Sequence, residues 1–175
     1  LEINGNRQFE YSNLYFDTPE NICLNDHIRE RKKKYKVRIR SYVNSNICFL
    51  EIKKKNVHGR TIKMRVQRTS EKWDSPLTDS EKYFLSERVP FASELSPVLY
   101  ISYSRFTLAQ LKRCERITLD TNLTYTTIQG EISKPLNGLV VVELKQAETD
   151  RRSPLFVFLR SMPERTTQLG RIIKI

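Results

Sequence analysis

The sequence predicts an α+β fold of mostly antiparallel strands with a few short helices, and two observations carry that expectation. Five stretches place charged or polar residues two apart beside apolar ones: Lys36/Arg38/Arg40, Glu51/Lys53, Lys63/Arg65, Arg116/Thr118/Asp120 and Glu143/Lys145. Residues i and i+2 share one side of an extended strand, so each stretch has a charged face and an oily face. The second observation is that only two segments, near 78–89 and 153–162, read as amphipathic helices.

Tyr35 to Tyr42, Ile47 to Lys55 and Thr61 to Arg68 form a predicted three-strand meander. Turn residues at Asn44 to Asn46 and Asn56 to Arg60 punctuate it. Thr78 to Val89 is predicted to be a helix, because Thr78 can cap its first turn and Glu81 completes a capping box. Pro97 to Ala109 and Leu111 to Leu123 read as two strands joined by a tight connection, and Leu139 to Gln146 as a further one. Ser153, Pro154 and the run Leu155 to Met162 form a helix with proline in its first turn. Asp17-Thr18-Pro19 reads as a turn and helix start, and Tyr15 and Phe16 as core residues.

At 175 residues the chain is expected to form one domain. Lys and Arg number 31 against 20 Asp and Glu, a formal charge of +11, which calls for an anionic partner: nucleic acid, a phosphate compound or an acidic membrane surface. Three cysteines, Cys23, Cys48 and Cys114, without close Cys/His spacing, argue for a reducing compartment and against a disulfide framework. Neither a signal sequence nor a bilayer-length apolar run is present, so a cytoplasmic location is expected.

The charged faces admit two readings. They are solvated outer faces of a sandwich, or they turn toward a common interior and line a channel. Like charges two residues apart lie about 7 Å from each other, and at an effective dielectric near 20 each such pair costs about 2 kcal/mol. Turned inward, that repulsion must be offset by Glu51, Asp120 and Glu143, by water or by a bound polyanion. Nucleic acid is the rival ligand, since Tyr15, Phe16, Tyr35, Tyr42, Tyr100 and Tyr103 could stack bases. No helix-turn-helix, zinc-finger or RNP motif accompanies them, and carboxylates among the cations repel a nucleic-acid backbone unless they hold a metal. Phosphoryl chemistry is therefore favoured over nucleic acid as the primary partner.

The chain resembles the polyphosphate polymerase domain of the vacuolar transporter chaperone (VTC) family, a branch of the triphosphate tunnel metalloenzymes, in its prokaryotic, membrane-free form. The resemblance rests on Leu1-Glu2-Ile3-Asn4-Gly5, Tyr15-Phe16-Asp17-Thr18-Pro19, Tyr35-Lys36-Val37-Arg38-Ile39-Arg40, Phe49-Leu50-Glu51-Ile52-Lys53, Arg116-Ile117-Thr118-Leu119-Asp120 and Val142-Glu143-Leu144-Lys145. It implies an antiparallel β-barrel with short helices outside and a tunnel that binds ATP or another triphosphate and threads inorganic polyphosphate. Arg38, Arg40, Lys53, Lys63 and Arg116 are then implied phosphate ligands, with Arg65 and Lys145 as further basic lining. Glu143 is the implied ligand of a divalent metal, Mn2+ or Mg2+, with Glu51 as its helper.

The chain departs from the family twice. The family domain has a strand upstream of the position of Leu1 that brings another basic ligand, so a single domain over 1–175 lacking that strand is expected. Where the family has a Ser-Lys-aromatic motif near the carboxyl end, this chain reads Thr166-Thr167-Gln168-Leu169-Gly170. Three functions stand open: a polyphosphate polymerase that moves the gamma phosphate of ATP onto a growing chain, a tunnel triphosphatase, and a non-catalytic polyphosphate-binding module.

Overall fold

The computed structural model describes residues 5–68, 72–110, 112, 114–128 and 133–161, together with the backbone of 166–167 and 170–174. Its strands are β1 (Gln8–Asp17), β2 (Lys34–Tyr42), β3 (Ile47–Lys55), β4 (Thr61–Arg68), β5 (Ser96–Gln110), β6 (Glu115–Thr127), β7 (Ser133–Pro135), β8 (Leu139–Gln146), β9 (Thr166–Thr167) and β10 (Gly170–Lys174). Among the described residues three α-helices accompany them: α1 (Ile22–Ile28), α2 (Asp79–Ser86) and α3 (Pro154–Ser161). The strands follow the order β4-β3-β2-β1-β5-β6-β8-β10-β9, with β7 on β6. An antiparallel sheet with few helices is thus as the sequence predicts. The described pairings stop at β4 and at β9, so closure into a barrel is not among them.

The chain divides into two compact units. One comprises Ser12–Ile101 with Tyr125–Ser133 and is referred to as the β2–β4 unit. Its register matches the predicted meander: Val37 faces Ile52, which faces Met64, and Ile39 faces Leu50, which faces Val66. Those side chains form the oily face, and Val37, Ile39, Leu50 and Ile52 are fully buried. They pack with Leu14, Phe16, Tyr35, Leu85 and Val89, and each such burial stabilises the fold by about 1.5–3 kcal/mol.

Local chemistry sets the connections of this unit. Between β3 and β4, the Asn56 side chain accepts from the backbone N–H of His58 and Arg60 at 3.1 and 2.9 Å, and Gly59 takes a φ of +79° that a side chain would strain. Thr78 and Glu81 make both bonds of the predicted capping box at the start of α2. The Glu81 carboxylate also pairs with the buried Arg68 guanidinium at 2.8 Å, which donates further to the carbonyls of Trp73, Ser75 and Pro76. After β1, the Asp17 carboxylate accepts from the backbone N–H of Thr18, Cys23 and Leu24 at 2.8–3.0 Å. The turn and helix start expected there are present.

The other unit comprises residues 1–11, 102–124 and 134–175 and is referred to as the β6–β8 unit. Ile117 of β6 and Val142 of β8 are its buried apolar centre, and α3 begins at Pro154 after the fully buried Ser153. The predicted strand from Leu111 begins instead at Glu115 and extends to Thr127, after a turn in which Cys114 has a φ of +50°. Leu111 itself lies outside the described residues, as do Met162 of the predicted helix, most of the opening motif, and Gln168 and Leu169. Among the described residues no helix is long and apolar enough to cross a membrane.

Candidate anion-binding faces

In the β2–β4 unit, register turns separate sequence positions into cross-strand rows. Lys36 faces Lys53, which faces Lys63; Arg38 faces Glu51, which faces Arg65; Arg40 faces Phe49, which faces Gln67. All lie on the side opposite the core residues, as alternation demands. Five cations of the predicted set, Arg38, Arg40, Lys53, Lys63 and Arg65, therefore share one face with Lys36, with Lys34 and Lys55 of the adjoining row, and with Glu51, the one carboxylate that β2, β3 and β4 place there.

That carboxylate, Glu51, is buried and held at both oxygens. Arg38 donates to Oε2 from Nε at 3.0 Å and from a terminal nitrogen at 2.7 Å, while Lys63 Nζ lies 2.7 Å from Oε1. Burial pushes the Glu51 carboxyl up, but the Lys63 hydrogen bond and the Arg38 charge outweigh it and hold it below the usual range. Arg38 also donates to the Tyr15 hydroxyl at 3.1 Å, and its guanidinium lies 5.9 Å from that ring's centre. Burial would raise the Tyr15 phenol, yet the Arg38 charge and hydrogen bond, helped by Arg40 and Lys36, bring it below its ordinary value. Tyr15, expected as a core residue, is therefore part of the charged face; Phe16 is in the core.

A guanidinium has five donor hydrogens. Three of Arg38's are engaged, which leaves one on each terminal nitrogen for an incoming pair of oxygens. Arg40 is buried and donates from Nε to Asn13 Oδ1 at 2.8 Å, so part of its fork is spent on the fold. Arg65 stacks on Phe49 at 4.4 Å. Lys53 and Lys63 sit beside each other with exposed side chains.

In the β6–β8 unit, Arg116 faces Lys145 and Thr118 faces Glu143. Lys145 Nζ lies 3.3 Å from Glu143 Oε2, with both side chains partly exposed. Arg116 and Lys145 also border an open recess of about 360 Å³. Asp120, two residues from Thr118, accepts both hydrogen bonds of a fork from Arg105 at 2.5 and 2.6 Å. Burial opposes the charge on Arg105, but the Asp120 hydrogen bonds prevail and raise its pKa further. Tyr11 and Tyr103 stack at 5.2 Å, with the Arg105 guanidinium 5.3 and 5.1 Å from their centres. Sequence reasoning missed Arg105. Its signal was the spacing Tyr103-Ser104-Arg105 on a strand, but the pairing with Asp120 that gives it meaning is a register property.

Among the described residues no three His, Cys, Asp or Glu side chains gather to hold a metal. Magnesium-type sites use one or two carboxylates and complete their shell with phosphate oxygens and water. Glu143, loosely paired and partly exposed, fits that single-carboxylate requirement. Glu51 does not in this arrangement, because a metal would have to displace both Lys63 and Arg38 from its oxygens.

Comparison with known proteins places these faces in context. A search of curated proteins finds no match. Among solved structures, an adenylate cyclase candidate of Bacillus halodurans superposes with a TM-score of 0.52 at 13% identity, over 88% of this chain and 73% of that one. The PH1819 protein of Pyrococcus horikoshii OT3 gives 0.46 at 14% identity, over 97% of this chain and 81% of that one. A Hippeastrum adenylyl cyclase candidate with a dominant triphosphatase activity gives 0.43 at 13% identity, over 69% of this chain and 64% of that one. At such identities the first likeness is one of fold alone. The family model for the VTC domain matches residues 1–170, nearly the whole sequence, and the chain belongs to the VTC domain family.

Proposed function

We propose that this chain is a polyphosphate polymerase domain that transfers the gamma phosphate of ATP to a growing inorganic polyphosphate chain. The observation that carries the reading is the state of Glu51: both its oxygens are taken by Arg38 and Lys63, so a single carboxylate balances only part of the positive charge on this face, and Arg38 still has one hydrogen on each terminal nitrogen for an anion. Family membership supports the same substrate class. A closed tunnel of the kind the resemblance implies is part of the proposal.

Phosphoryl transfer asks the protein to position reactants and neutralise charge, with little covalent chemistry of its own. Arg38 offers a two-hydrogen edge to a pair of phosphate oxygens, and Glu51 with Tyr15 fixes the plane of that edge. Lys36, Lys53, Lys63 and Arg65 serve as phosphate ligands beside it, while Arg40 braces the row through Asn13. Arg116 and Lys145 contribute basic ligands to the same activity, with Arg105 added to the set. Glu143 would hold Mn2+ or Mg2+, which would supply charge neutralisation for the transferred phosphate.

The acid–base inventory favours transfer to phosphate over hydrolysis. Hydrolysis needs a group to activate water, and the buried carboxylates of these faces, Glu51 and Asp120, are locked to arginines. A polyphosphate terminus is already anionic and needs no such base. Incubation with ATP and Mn2+ tests the reading: long acid-insoluble chains are expected. Release of free phosphate alone would establish a triphosphatase instead, and binding without turnover a binding module.

A further inference from the structure

Thr118 is buried, and its hydroxyl has no hydrogen-bond partner among the described residues. Such a group has lost its bonds to water and gained nothing in return, and native structures seldom keep one without a use. Its position narrows that use. Thr118 lies directly opposite Glu143 in the β6–β8 register, and facing residues of an antiparallel pair bring their Cβ atoms to about 5 Å. A threonine hydroxyl can donate one hydrogen, and a carboxylate can only accept.

The surrounding charges are otherwise committed. Asp120, next along the same face, is held by the Arg105 fork, and Glu143 touches Lys145 at 3.3 Å. An ammonium on Glu143 cancels the negative charge that a divalent cation needs. A neutral hydroxyl orients the carboxylate and leaves that charge intact.

We propose that Thr118 is a positioning residue for Glu143: its hydroxyl, unpartnered while Glu143 rests on Lys145, donates to one carboxylate oxygen once Glu143 leaves Lys145 for a divalent cation, and turns the other oxygen toward that ion. The inference rests on the cation role proposed for Glu143. Groups of this kind, hydrogen-bonded to a metal ligand, are worth about ten- to a hundredfold in metal affinity.

The test is Mn2+ binding to the full chain with tripolyphosphate in place, followed by electron paramagnetic resonance of the protein-bound ion, with thermal melts in parallel; a wild type that takes up no Mn2+ under these conditions also overturns the inference. Thr118→Val should raise the Kd for Mn2+ about tenfold, with a melting temperature equal to or above that of the wild type, because it removes an unpartnered buried hydroxyl at constant shape. Thr118→Ser should restore the affinity. Thr118→Ala should show the same loss and serves if the valine variant does not fold. A valine variant that binds Mn2+ like the wild type overturns the inference, as does one that only melts earlier. Glu143→Gln separates the two layers. If it too binds like the wild type, the cation role of Glu143 falls and Thr118 with it; if it loses Mn2+ while Thr118→Val does not, only the Thr118 inference falls.

Discussion

Arg38 shows how one side chain can serve fold and ligand at once. Its side-on edge and one terminal hydrogen go to Glu51 and Tyr15, so the guanidinium is oriented before any anion arrives. A lysine in its place has the charge without the fork. Hydrogen bonds to charged groups contribute about 1.5–3 kcal/mol, so Arg38→Lys should weaken tripolyphosphate binding about tenfold in calorimetry, with a fall in melting temperature as well, because the fork onto the buried Glu51 is lost while Lys63 keeps its pair. Unaltered affinity would show that the free edge of Arg38 meets no phosphate. Glu51 makes a pH prediction of definite sign. Its folded pKa lies below the ordinary 4.5, with Lys63 and Arg38 overcoming the opposing effect of burial. Its contribution to stability is therefore full above the unfolded value and is lost as pH falls through the lower folded value. Melting temperatures measured from neutral pH down through this acid window should fall for the wild type, while Glu51→Gln should start lower at neutral pH and show a flatter acid limb. Parallel curves would mean that the Arg38 and Lys63 pairs do not stabilise the fold.

At the scale of elements, what could be read from sequence was what alternation and capping record locally. Ile47 to Lys55, Thr61 to Arg68 and Leu139 to Gln146 are strands with the predicted bounds, because apolar and charged residues alternate along Thr61 to Arg68 and in the Glu51–Lys53 and Glu143–Lys145 stretches of the other two. The α2 capping box was equally legible, being a contact between residues three apart. Thr78→Ala should cost about 1 kcal/mol in denaturant unfolding, and a smaller loss would show that the Glu81–Arg68 pair fixes that helix end by itself. Strand β1 was not legible. Its buried positions include Asn13 and Asp17, which look like turn residues in a window of sequence. Asn13 is satisfied by Arg40 and by the carbonyl of Ile101, far away in sequence, and Asp17 by the first turns leading into α1. Partners as distant as those of Asn13 cannot be seen by periodicity. The same limit hid Arg105, whereas the rows of Lys36, Arg38 and Arg40 with their β3 and β4 partners followed once the meander's register was set.

For the molecule as a whole, a formal charge of +11 calls for an anionic partner but does not choose among them until the register shows where the cations stand. The Lys36-Lys53-Lys63 row has no carboxylate opposite it, and the next row has only Glu51. Without an anion these rows repel, and added salt relieves the repulsion because the Debye length shortens to about 8 Å at physiological ionic strength. Sodium chloride should therefore raise the melting temperature of the free protein modestly. Tripolyphosphate should do much more: a ligand bound only by the folded state adds about 2.7 kcal/mol at a hundred times its Kd. The two effects oppose each other in mixtures, since salt that screens the rows also weakens the polyanion's hold. Thermal melts at matched ionic strength make the distinction. If the cations are an ordinary solvated surface, tripolyphosphate and chloride will shift the transition equally. If the rows are built around a polyanion, the tripolyphosphate shift will exceed the chloride shift at low salt and shrink toward it as salt is added, and Lys53→Ala with Lys63→Ala will lose most of that excess.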